Sequence, residues 1–554
     1  MIKFNSIFWF RKDLRLHDNP GLWHSVKDSE NVICLYIYQD ETVKQAWPIG
    51  SAQKWWLHHS LASLSKSINE NANGIDATEM KLLIKNGDPI PILKSIFKGD
   101  HVKSLYFNKV YEPHYVKQDK LITEMLEGMG VTVRSFNASL LLEPDVIRNK
   151  TGGYFKVFTP YWRTCLEYLF HLQRGSQPRK LYDRPCFNVK HISKLIASIE
   201  HVIKSDSLSH LSLLPTHPDW AGGLRDTWKP GELRALERLR DFLSDGIKNY
   251  DSNRDNPHLT TGTSRLSPHL ALGEIGPWQI WHAIFPSRNF DLKGSQGKEK
   301  YLAECGWREF SYYLLHHFPE FPSKNFRTEF DRFQWSPSQN EPFLKAWKSG
   351  LTGYPIVDAG MKQLWHEGYM HNRVRMITAS FLTKDLLIDW RVGAAWFWDT
   401  LVDADLANNS SGWQWVAGTG ADASPYFRIF NPTLQGEKFD AEGLYVKKWI
   451  PALAKVPLKY IHQPWKCPRV ILDKCGIELV KDYPMPIVDH EKCRLRALQY
   501  YANLKIGAKS VLKSHEDDDL VDDVKHSGNG KSTRSQTNKI DSSIIHSKKN
   551  KRKS

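Results

Sequence analysis

Short runs of β-branched and aromatic residues alternate with longer polar stretches over roughly the first 135 residues of the chain. Five such runs predict strands: Ser6 to Phe10, Val32 to Tyr38, Lys81 to Ile84, Lys103 to Phe107 and Val131 to Val133. Strands separated by stretches long enough for a helix are typical of βαβ units, so this part predicts an α/β domain with a parallel sheet. No G-x-G-x-x-G follows the first run, and a dinucleotide-binding turn is therefore not indicated.

The hydrophobic period changes after Trp220. Apolar residues at three- and four-residue spacing predict helices over Gly231 to Asp245, Lys298 to Phe318, Tyr354 to Glu367 and Met370 to Asp389. Between the two patterns lies a less regular, proline-containing segment, and the chain end is rich in Ser, Asn and Lys. The sequence thus predicts an α/β domain (1–135), a connector (136–220), an all-α domain (221–505) and a disordered basic tail (506–554).

Composition narrows the class of protein. Hydrophobic residues make up 41% of the 554 residues and charged residues 25%, and no run approaches the ~18 apolar residues that a membrane helix needs. The apolar start Phe4 to Phe10 is followed at once by Arg11-Lys12-Asp13, which does not resemble a signal peptide. Seven cysteines without a C-x-x-C pair indicate neither a disulfide framework nor a zinc site. We therefore expect a cytoplasmic protein with no membrane partner.

The chain is basic, with a formal net charge of +15. The segment Lys513 to Ser554 holds 10 basic and 7 acidic residues, so most of the surplus lies in the rest of the chain. Such a surplus is typical of a polyanion partner such as DNA, but it also serves solubility. Charge by itself does not decide between the two.

The segment Gly262 to Ser267 places small hydroxyl residues and one Arg directly before a helical run. It could hold a phosphate group, although a plain helix cap explains it as well. The chain lacks a P-loop, a G-x-S-x-G elbow and an H-E-x-x-H pair. ATP chemistry, serine hydrolase chemistry and a metal site are therefore not indicated.

Three further groups could bind a flat aromatic partner. Glu304 and Trp307 are three residues apart, and Asn372 and Met376 are four apart, so each pair shares one helix face. The segment Asp403 to Trp415 adds two acids, two Asn and two Trp. Carboxylate, amide and indole groups can hydrogen-bond to a nucleobase or stack on it, and packing is the alternative for each group.

Five motifs, taken in order along the chain, resemble those of the photolyase/cryptochrome family. They are Phe8 to Arg15 with His17-Asp18-Asn19, Thr263 to Ser267, Trp307 to Phe310, Gly353 to Pro355, and Asp403 to Trp415. The resemblance covers about residues 3 to 500 and implies a Rossmann-like α/β domain followed by an all-α FAD-binding domain. It also implies that reduced FAD, excited by blue light, passes an electron to a pyrimidine dimer in DNA, which splits and returns it.

The resemblance implies an FAD site in the helical domain. Its residues are expected to be Tyr250, Thr263, Ser264, Arg265, Leu266, Ser267, Arg308, Arg375, Asp403, Ala404, Asp405 and Asn409. Arg375 is expected to pair with Asp403. Asn409 is expected to face flavin N5, where plant-type cryptochromes tend to carry Asp, and this favours repair over signalling. The family's electron-hopping indoles are expected at Trp413, Trp390 and Trp335.

A lesion site is also implied by the resemblance. Its residues are expected to be Arg254, Glu304, Trp307, Asn372, Arg373, Met376, Trp415 and Gln435. Glu304 is expected to stabilise the dimer radical anion. Relatives that repair (6-4) photoproducts carry His at the positions of Asn372 and Met376, so the chain looks most like a class I photolyase that splits cyclobutane pyrimidine dimers.

The N-terminal domain is expected to hold a second, light-harvesting chromophore. Folate-binding relatives follow Tyr-Glu with Asn-Glu, whereas here Tyr111-Glu112-Pro113 is followed by His114-Tyr115. Folate, deazaflavin, flavin or no second chromophore therefore stay open. We expect a monomeric light-driven lyase that acts on damaged DNA. The alternatives are a cryptochrome-like photoreceptor, supported by the tail, a (6-4) photolyase and a nucleic-acid-binding module without enzyme activity.

Overall fold

In the part of the chain that a computed structural model describes, seven parallel strands make up two sheets. They are β1 (Ser6–Phe10), β2 (Val32–Tyr38), β3 (Ala72–Asn73), β4 (Leu83–Asn86), β5 (Ser104–Asn108), β6 (Thr132–Phe136) and β7 (Phe187–Asn188). Five of them form a sheet in the order β4-β2-β1-β5-β6, and β3 pairs with β7. The predicted α/β domain with a parallel sheet is confirmed. Two of the predicted strands have the expected bounds, and the other three begin one or two residues later than expected and end one to three later.

The described residues are 4–39, 47–73, 81–99, 101–175, 178–188, 195–197, 199, 204–286, 295–336 and 341–518, with side chains described up to 504. Met1–Leu504 form one compact unit and Lys505–Ser554 a second. Among the described helices, none combines the length and the apolarity needed to cross a bilayer.

Strands β1 and β2 are buried along their whole length, because helices cover both faces of the sheet. This explains why they read as continuous apolar runs. The chain proceeds from β1 to β2 and β4 on one side, and β5 and β6 lie on the other side. A topological switch point therefore lies between β1 and β5, where ligands of open α/β sheets commonly bind.

Helices surround the sheet and make up the second half of the chain. The first group is α1 (Pro20–Asp28), α2 (Ser51–Glu70), α3 (Pro89–Ile96), α4 (Pro113–Gly128), α5 (Phe158–Arg174), α6 (Gly222–Thr227) and α7 (Glu232–Asp241). Next come α8 (Tyr250–Asn253), α9 (Ser267–Ala271), α10 (Pro277–Ile284), α11 (Gln296–His317), α12 (Glu341–Ser349), α13 (Pro355–Glu367) and α14 (Asn372–Ser380). The last are α15 (Trp390–Thr400), α16 (Leu406–Ala417), α17 (Pro432–Phe439), α18 (Leu444–Trp449), α19 (Leu458–Ile461), α20 (Arg469–Cys475) and α21 (His490–Asp518). The predicted helical second half is confirmed.

Two of the predicted helices end earlier than expected. Helix α7 continues into a π-helical turn over Phe242–Gly246, and α14 into a second one over Phe381–Asp385. The apolar spacing alone does not distinguish an α-helical turn from a π-helical one, because both keep a similar buried face.

Helix α5 lies in the segment predicted to be an irregular connector. Its buried side chains include Tyr161, Trp162, Cys165 and Leu169, which follow the three- and four-residue spacing of an amphipathic helix. The expectation of irregular structure is therefore wrong for this part of the segment. It is also wrong for 506–518, which belong to α21, while the rest of the predicted tail, 519–554, lies outside the described residues.

A buried guanidinium joins the sheet to the helical half. Arg15 donates to the carbonyl oxygens of Gly273 and Ala138, at 2.9 and 2.8 Å. Glu232, at the start of α7, accepts from the backbone N–H groups of Leu16 and His17. The motif after β1 therefore fixes the segment around Gly273, which follows α9, against the sheet.

Candidate functional site

The loop between α15 and α16 meets α14 through a shielded ion pair, to which the first residue of α9 adds a hydrogen bond. Nη2 of Arg375 lies 3.0 and 2.8 Å from the two carboxylate oxygens of Asp403, and Ser267 Oγ donates to the same carboxylate at 2.6 Å. The Asp403 side chain is only 3% exposed, so this charge depends on its partners. The structure brings Arg375 and Asp403 together as expected, and their role toward a cofactor stays a prediction.

Arg265 has a partner that the sequence did not reveal. Its Nη2 donates to Glu367 at 3.1 Å, and its guanidinium lies 4.4 Å from the ring of Trp228 and 4.9 Å from that of Tyr369. Nε of Arg265 is buried and has no partner among the described residues. Since a buried donor is costly to leave unpaired, this atom fits a bound group that accepts hydrogen bonds, such as a phosphate.

Tyrosine rings form an apolar wall beside the segment before α9. The ring of Tyr250 lies 5.3 Å from that of Tyr301, whose hydroxyl donates to Ser264 Oγ at 3.1 Å. Burial raises the pKa of both tyrosines, so they stay neutral. Hydroxyls, a guanidinium and flat apolar rings together suit a nucleotide cofactor with an aromatic ring system, and the residues present therefore fit FAD.

Asp405, the second acid of the segment Asp403 to Trp415, lies directly before α16. Asp405 caps this helix by accepting from Asn408 N at 2.8 Å, and its carboxylate also accepts from the hydroxyl of Tyr312. Arg308 lies over the Tyr312 ring and donates to Ser139 O at 2.8 Å. Arg308 thus contacts the connector and α11.

The remaining cofactor candidates are less polar or face other helices. Leu266 and Ala404 are buried, and the carbonyl oxygen of Ala404 accepts from Gln53 at 2.7 Å. Asn409 donates its amide to Ala394 O at 3.0 Å, which fixes its side chain against α15. Thr263 is half-buried.

The three candidate hopping indoles belong to one apolar cluster of the helical half. Trp390 is fully buried and donates to Asn325 Oδ1 at 2.9 Å. Trp413 is nearly buried, and a Cβ added at Gly393 would lie 2.1 Å from its ring. Trp335 is half-buried and packs against the same cluster. The indoles thus extend from the interior toward the surface.

The lesion candidates begin with an ion pair between α11 and the residue after α8. Arg254 pairs with Glu304, and its guanidinium lies 5.4 Å from the ring of Tyr250. Trp307, one turn after Glu304, stacks on Phe158 with ring centroids 3.8 Å apart. Arg254 thereby touches one residue predicted for the cofactor and one predicted for the lesion.

Arg373, on the first turn of α14, reaches α17 with its side chain. Its Nη2 donates to Asp255 at 2.8 Å, and its guanidinium lies 4.4 Å from the ring of Phe439. Gln435 precedes Phe439 by one turn on α17, so it lies on the helix that borders Arg373. Asp255 is a residue that the sequence analysis missed.

The other three lesion candidates differ in exposure. Asn372 is exposed, whereas Met376 and Trp415 are half-buried and pack against the apolar cluster that contains Trp390. Partly exposed amide, thioether and indole groups of this kind remain accessible to a flat ligand.

A separate cleft lies at the carboxyl ends of the central strands. Its lining residues include Trp9, Arg11, Lys12, Tyr36, Tyr38, Glu112 and Tyr115. Lys12 and Glu112 form an ion pair there, and the Arg11 guanidinium lies 4.8 Å from the Trp9 ring. The cleft therefore coincides with the switch point of the sheet, where a planar ligand could stack.

One group of potential metal ligands lies outside both sites. Ligand atoms of Asp145, His316 and His317 lie within 4.8 Å of one another. Arg148 donates to Asp145 at 3.0 Å and lies 3.2 Å from His317 Nε2, so a cation already occupies this group. The expectation of no metal stays a prediction.

Comparisons with known proteins define the class of this fold and site. A family model described as "DNA photolyase" matches residues 6–179, and one described as "FAD binding domain of DNA photolyase" matches residues 301–503. The protein is therefore a flavoprotein with a photolyase fold.

Individual relatives agree with this class. A deoxyribodipyrimidine photo-lyase of Agrobacterium fabrum is 48% identical over 90% of this chain and 98% of its own, and cryptochrome-1 of Arabidopsis thaliana is 33% identical over 93% and 73%. The crystal structure of a class III photolyase from Agrobacterium tumefaciens matches with a TM-score of 0.82 at 47% identity, covering 91% of this chain and 98% of that one. An archaeal photolyase from Sulfolobus tokodaii with two FAD molecules matches with a TM-score of 0.71 at 28% identity, covering 90% and 100%.

The chain belongs to the DNA photolyase family. The predicted family, its lyase chemistry and FAD as the cofactor are confirmed at this level. The likeness to class I photolyases is not confirmed, because the solved structure that shares 47% identity is described as class III.

Proposed function

We propose that the protein is a light-driven DNA repair enzyme that splits cyclobutane pyrimidine dimers. The observation that supports this most is the Arg254–Glu304 ion pair, which lies against Tyr250 of the candidate cofactor site. A lesion that contacts Glu304 would then lie next to the cofactor. The family membership and the basic surplus agree with a DNA substrate.

In this proposal the protein holds the cofactor with polar groups of the helical half. Ser264, Arg265 and Ser267 bind its phosphate and ribose groups, and the Arg375–Asp403 pair faces the ring system. When it is reduced and excited by light, FAD supplies the electron that opens the dimer. Arg375 keeps the Asp403 charge balanced, so that the site holds its shape before the cofactor or the substrate arrives.

The lesion itself is bound as an extruded dinucleotide. Extrusion costs a few kcal/mol and costs least for a damaged base, and the photolyases are among the examples from which this rule was drawn. Trp307 and Trp415 contact the dimer from the sides, and Asn372 and Met376 line the pocket. The Glu304 carboxylate, paired with Arg254, accepts hydrogen bonds from N–H groups of the dimer, and Arg254 keeps positive charge within reach of the electron that the dimer receives.

Asn409 and the three indoles are assigned supporting roles. Asn409, fixed against α15, faces the flavin ring, and Trp413, Trp390 and Trp335 carry electrons from the surface when the cofactor is oxidised. The proposal also includes a cytoplasmic monomer without a metal.

The sheet cleft supports a second chromophore as part of the same function. Its aromatic lining suits a planar light-harvesting molecule, and the archaeal relative is described as holding two FAD molecules with implication of a novel light-harvesting cofactor. A flavin, a deazaflavin and a folate are all compatible with Trp9, Tyr36 and the Lys12–Glu112 pair.

The test is repair of three matched oligonucleotides by the reduced holoenzyme under blue light and in darkness. One carries a thymine cyclobutane dimer, one a (6-4) photoproduct and one no lesion. The proposal expects loss of the cyclobutane dimer in the light alone. Repair of only the (6-4) product would show the other photolyase specificity, and no repair despite normal flavin photoreduction would favour a photoreceptor.

A further inference from the structure

Five charged side chains alternate in sign along the rim of the candidate lesion site. Arg373 is followed by Asp255, Arg254, Glu304 and Lys300, with Arg373–Asp255 at 2.8 Å, Asp255–Arg254 at 3.8 Å and Glu304–Lys300 at 4.0 Å. The link between Arg254 and Glu304 is a direct ion pair. Asp255 is the only acid in this row that contacts both arginines.

The side chains of the row are partly shielded from water. Arg254 is 12% exposed, Arg373 20% and Asp255 35%. Two guanidiniums that contact the same carboxylate are close enough to repel each other, and water screens this repulsion incompletely because the side chains are partly buried. The carboxylate between them removes that repulsion and gives each guanidinium one preferred orientation.

The neighbouring His371 does not contribute charge to this row. Burial lowers the pKa of His371 to about 4, so its imidazole is neutral at pH 7. Nδ1 of His371 accepts from Arg373 N at 3.2 Å, which fixes the backbone of Arg373 at the start of α14. The position of the Arg373 guanidinium is therefore set by Asp255 on one side and by the Phe439 ring on the other.

We infer that Asp255 is a positioning residue that sets the selectivity for damaged over undamaged DNA, by holding Arg254 and Arg373 at one fixed spacing. The inference rests on the proposed function and assigns to these two arginines contacts with the DNA backbone beside the lesion. Guanidiniums held in place match the phosphates of one backbone geometry, the bent backbone around an extruded dimer. Guanidiniums that are free to move would contact any duplex, because phosphate contacts by themselves carry no sequence or lesion information.

The inference predicts opposite changes in the affinities for dimer-containing and for undamaged duplex when Asp255 loses its charge. Removing the Asp255 charge should weaken binding to dimer-containing duplex, since the arginines lose their alignment. It should also strengthen binding to undamaged duplex, since the surface loses one negative charge that repels the phosphates. A general loss of folding would weaken both.

The experiment measures dissociation constants of the FAD-loaded holoenzyme in darkness, for a duplex with one thymine cyclobutane dimer and for the same duplex without it. Asp255→Asn is compared with Asp255→Glu and with Asp251→Asn, an exposed acid on the same short segment that gives the same charge change. Selectivity is the Kd for undamaged duplex divided by the Kd for dimer-containing duplex. We expect Asp255→Asn to lower this ratio about fivefold, from loss of one charge-assisted hydrogen bond. Asp255→Glu and Asp251→Asn should keep the ratio within about twofold of the wild-type value. Flavin content and Tm show that each variant is folded.

The same substitution in an Arg373→Ala protein tests whether Asp255 acts on selectivity through Arg373. In Arg373→Ala protein, Asp255→Asn should change the ratio less than it does in the wild-type background, because only Arg254 is left for Asp255 to position. An Asp255→Asn protein that keeps the wild-type ratio, or an effect that persists fully without Arg373, would overturn the inference. A wild-type protein with no preference for the dimer would overturn the proposed function as well, so the two failures are distinguishable.

Discussion

The helical site and the sheet cleft are built from different kinds of contact. The helical site depends on shielded charges whose partners lie far apart in the chain, such as Arg265 and Glu367, separated by 102 residues. The sheet cleft is lined largely by aromatic and aliphatic side chains at the ends of neighbouring strands, with one ion pair between Lys12 and Glu112.

This difference indicates how each region tolerates change. A shielded charge left without its partner has no alternative source of solvation, so one substitution should disable the helical site. Apolar contacts are shared among many side chains, so the cleft should respond to its shape rather than to any single residue.

Arg375→Met should abolish FAD binding. The substitution leaves the Asp403 carboxylate shielded and without its cation, which costs ~3–5 kcal/mol when a buried pair is broken. Flavin absorbance per protein and thermal unfolding measure the two consequences. Arg234→Met breaks an exposed pair with Glu237 and should leave both unchanged. A flavin-loaded Arg375→Met protein would show that the pair does not maintain the site.

Trp390→Phe should slow photoreduction of oxidised flavin by more than an order of magnitude, because a phenyl ring is far harder to oxidise than an indole. The protein should still fold and bind FAD, although Asn325 loses its indole donor. The rate is followed by flavin absorbance under blue light with an external reductant. Trp55→Phe, a buried indole on α2, serves as the control. Equal rates in both variants would remove Trp390 from the proposed chain.

Ile49 also lines the sheet cleft, and Ile49→Trp should fill it and exclude a second chromophore while leaving FAD in place. Repair in dim light should then fall severalfold, because fewer photons are collected, whereas repair at saturating light should not change. Leu121→Trp, at an exposed position of α4, is the matched control. The action spectrum of repair decides the outcome, and identical spectra for both variants would mean that the cleft holds no light-harvesting molecule.

Glu309→Gln should have the smallest effect, seen only in the pH dependence of stability. Burial raises the pKa of Glu309 to about 7 in the folded protein, from about 4.5 in the unfolded chain. The folded state therefore binds this proton more tightly, and wild-type stability should increase as the pH falls from 7 to 4.5. Thermal unfolding across this range should show a weaker increase for the variant. Parallel curves would contradict the assigned titration.

The sequence predicted the sheet well because strands buried on both faces appear as continuous apolar runs. Ser6 to Phe10 and Val32 to Tyr38 have the bounds that the structure gives. The predicted bounds of β4, β5 and β6 differ from the observed bounds by up to three residues. The strand ends carry polar side chains such as Asn86 and Asn108, which the apolar pattern does not include.

The polar partners could not be predicted in the same way. Glu367 and Tyr312 lie on predicted helices with nothing in their local sequence to mark them, and they become site residues through contacts with Arg265 and Asp405. Asp255 could have been noticed, because it follows Arg254 directly and adjacent opposite charges often mark an ion-pair row. Its contact with Arg373 depends on the packing of α14 and appears only in the structure.

The most direct test of the account follows light emission from the reduced holoenzyme. Emission is measured with dimer-containing duplex, with undamaged duplex and without DNA, at concentrations that saturate binding. The account predicts that the dimer alone shortens the emission lifetime, because only the dimer at Glu304 accepts an electron from the excited cofactor. Equal lifetimes under the three conditions, with binding shown independently, would contradict it.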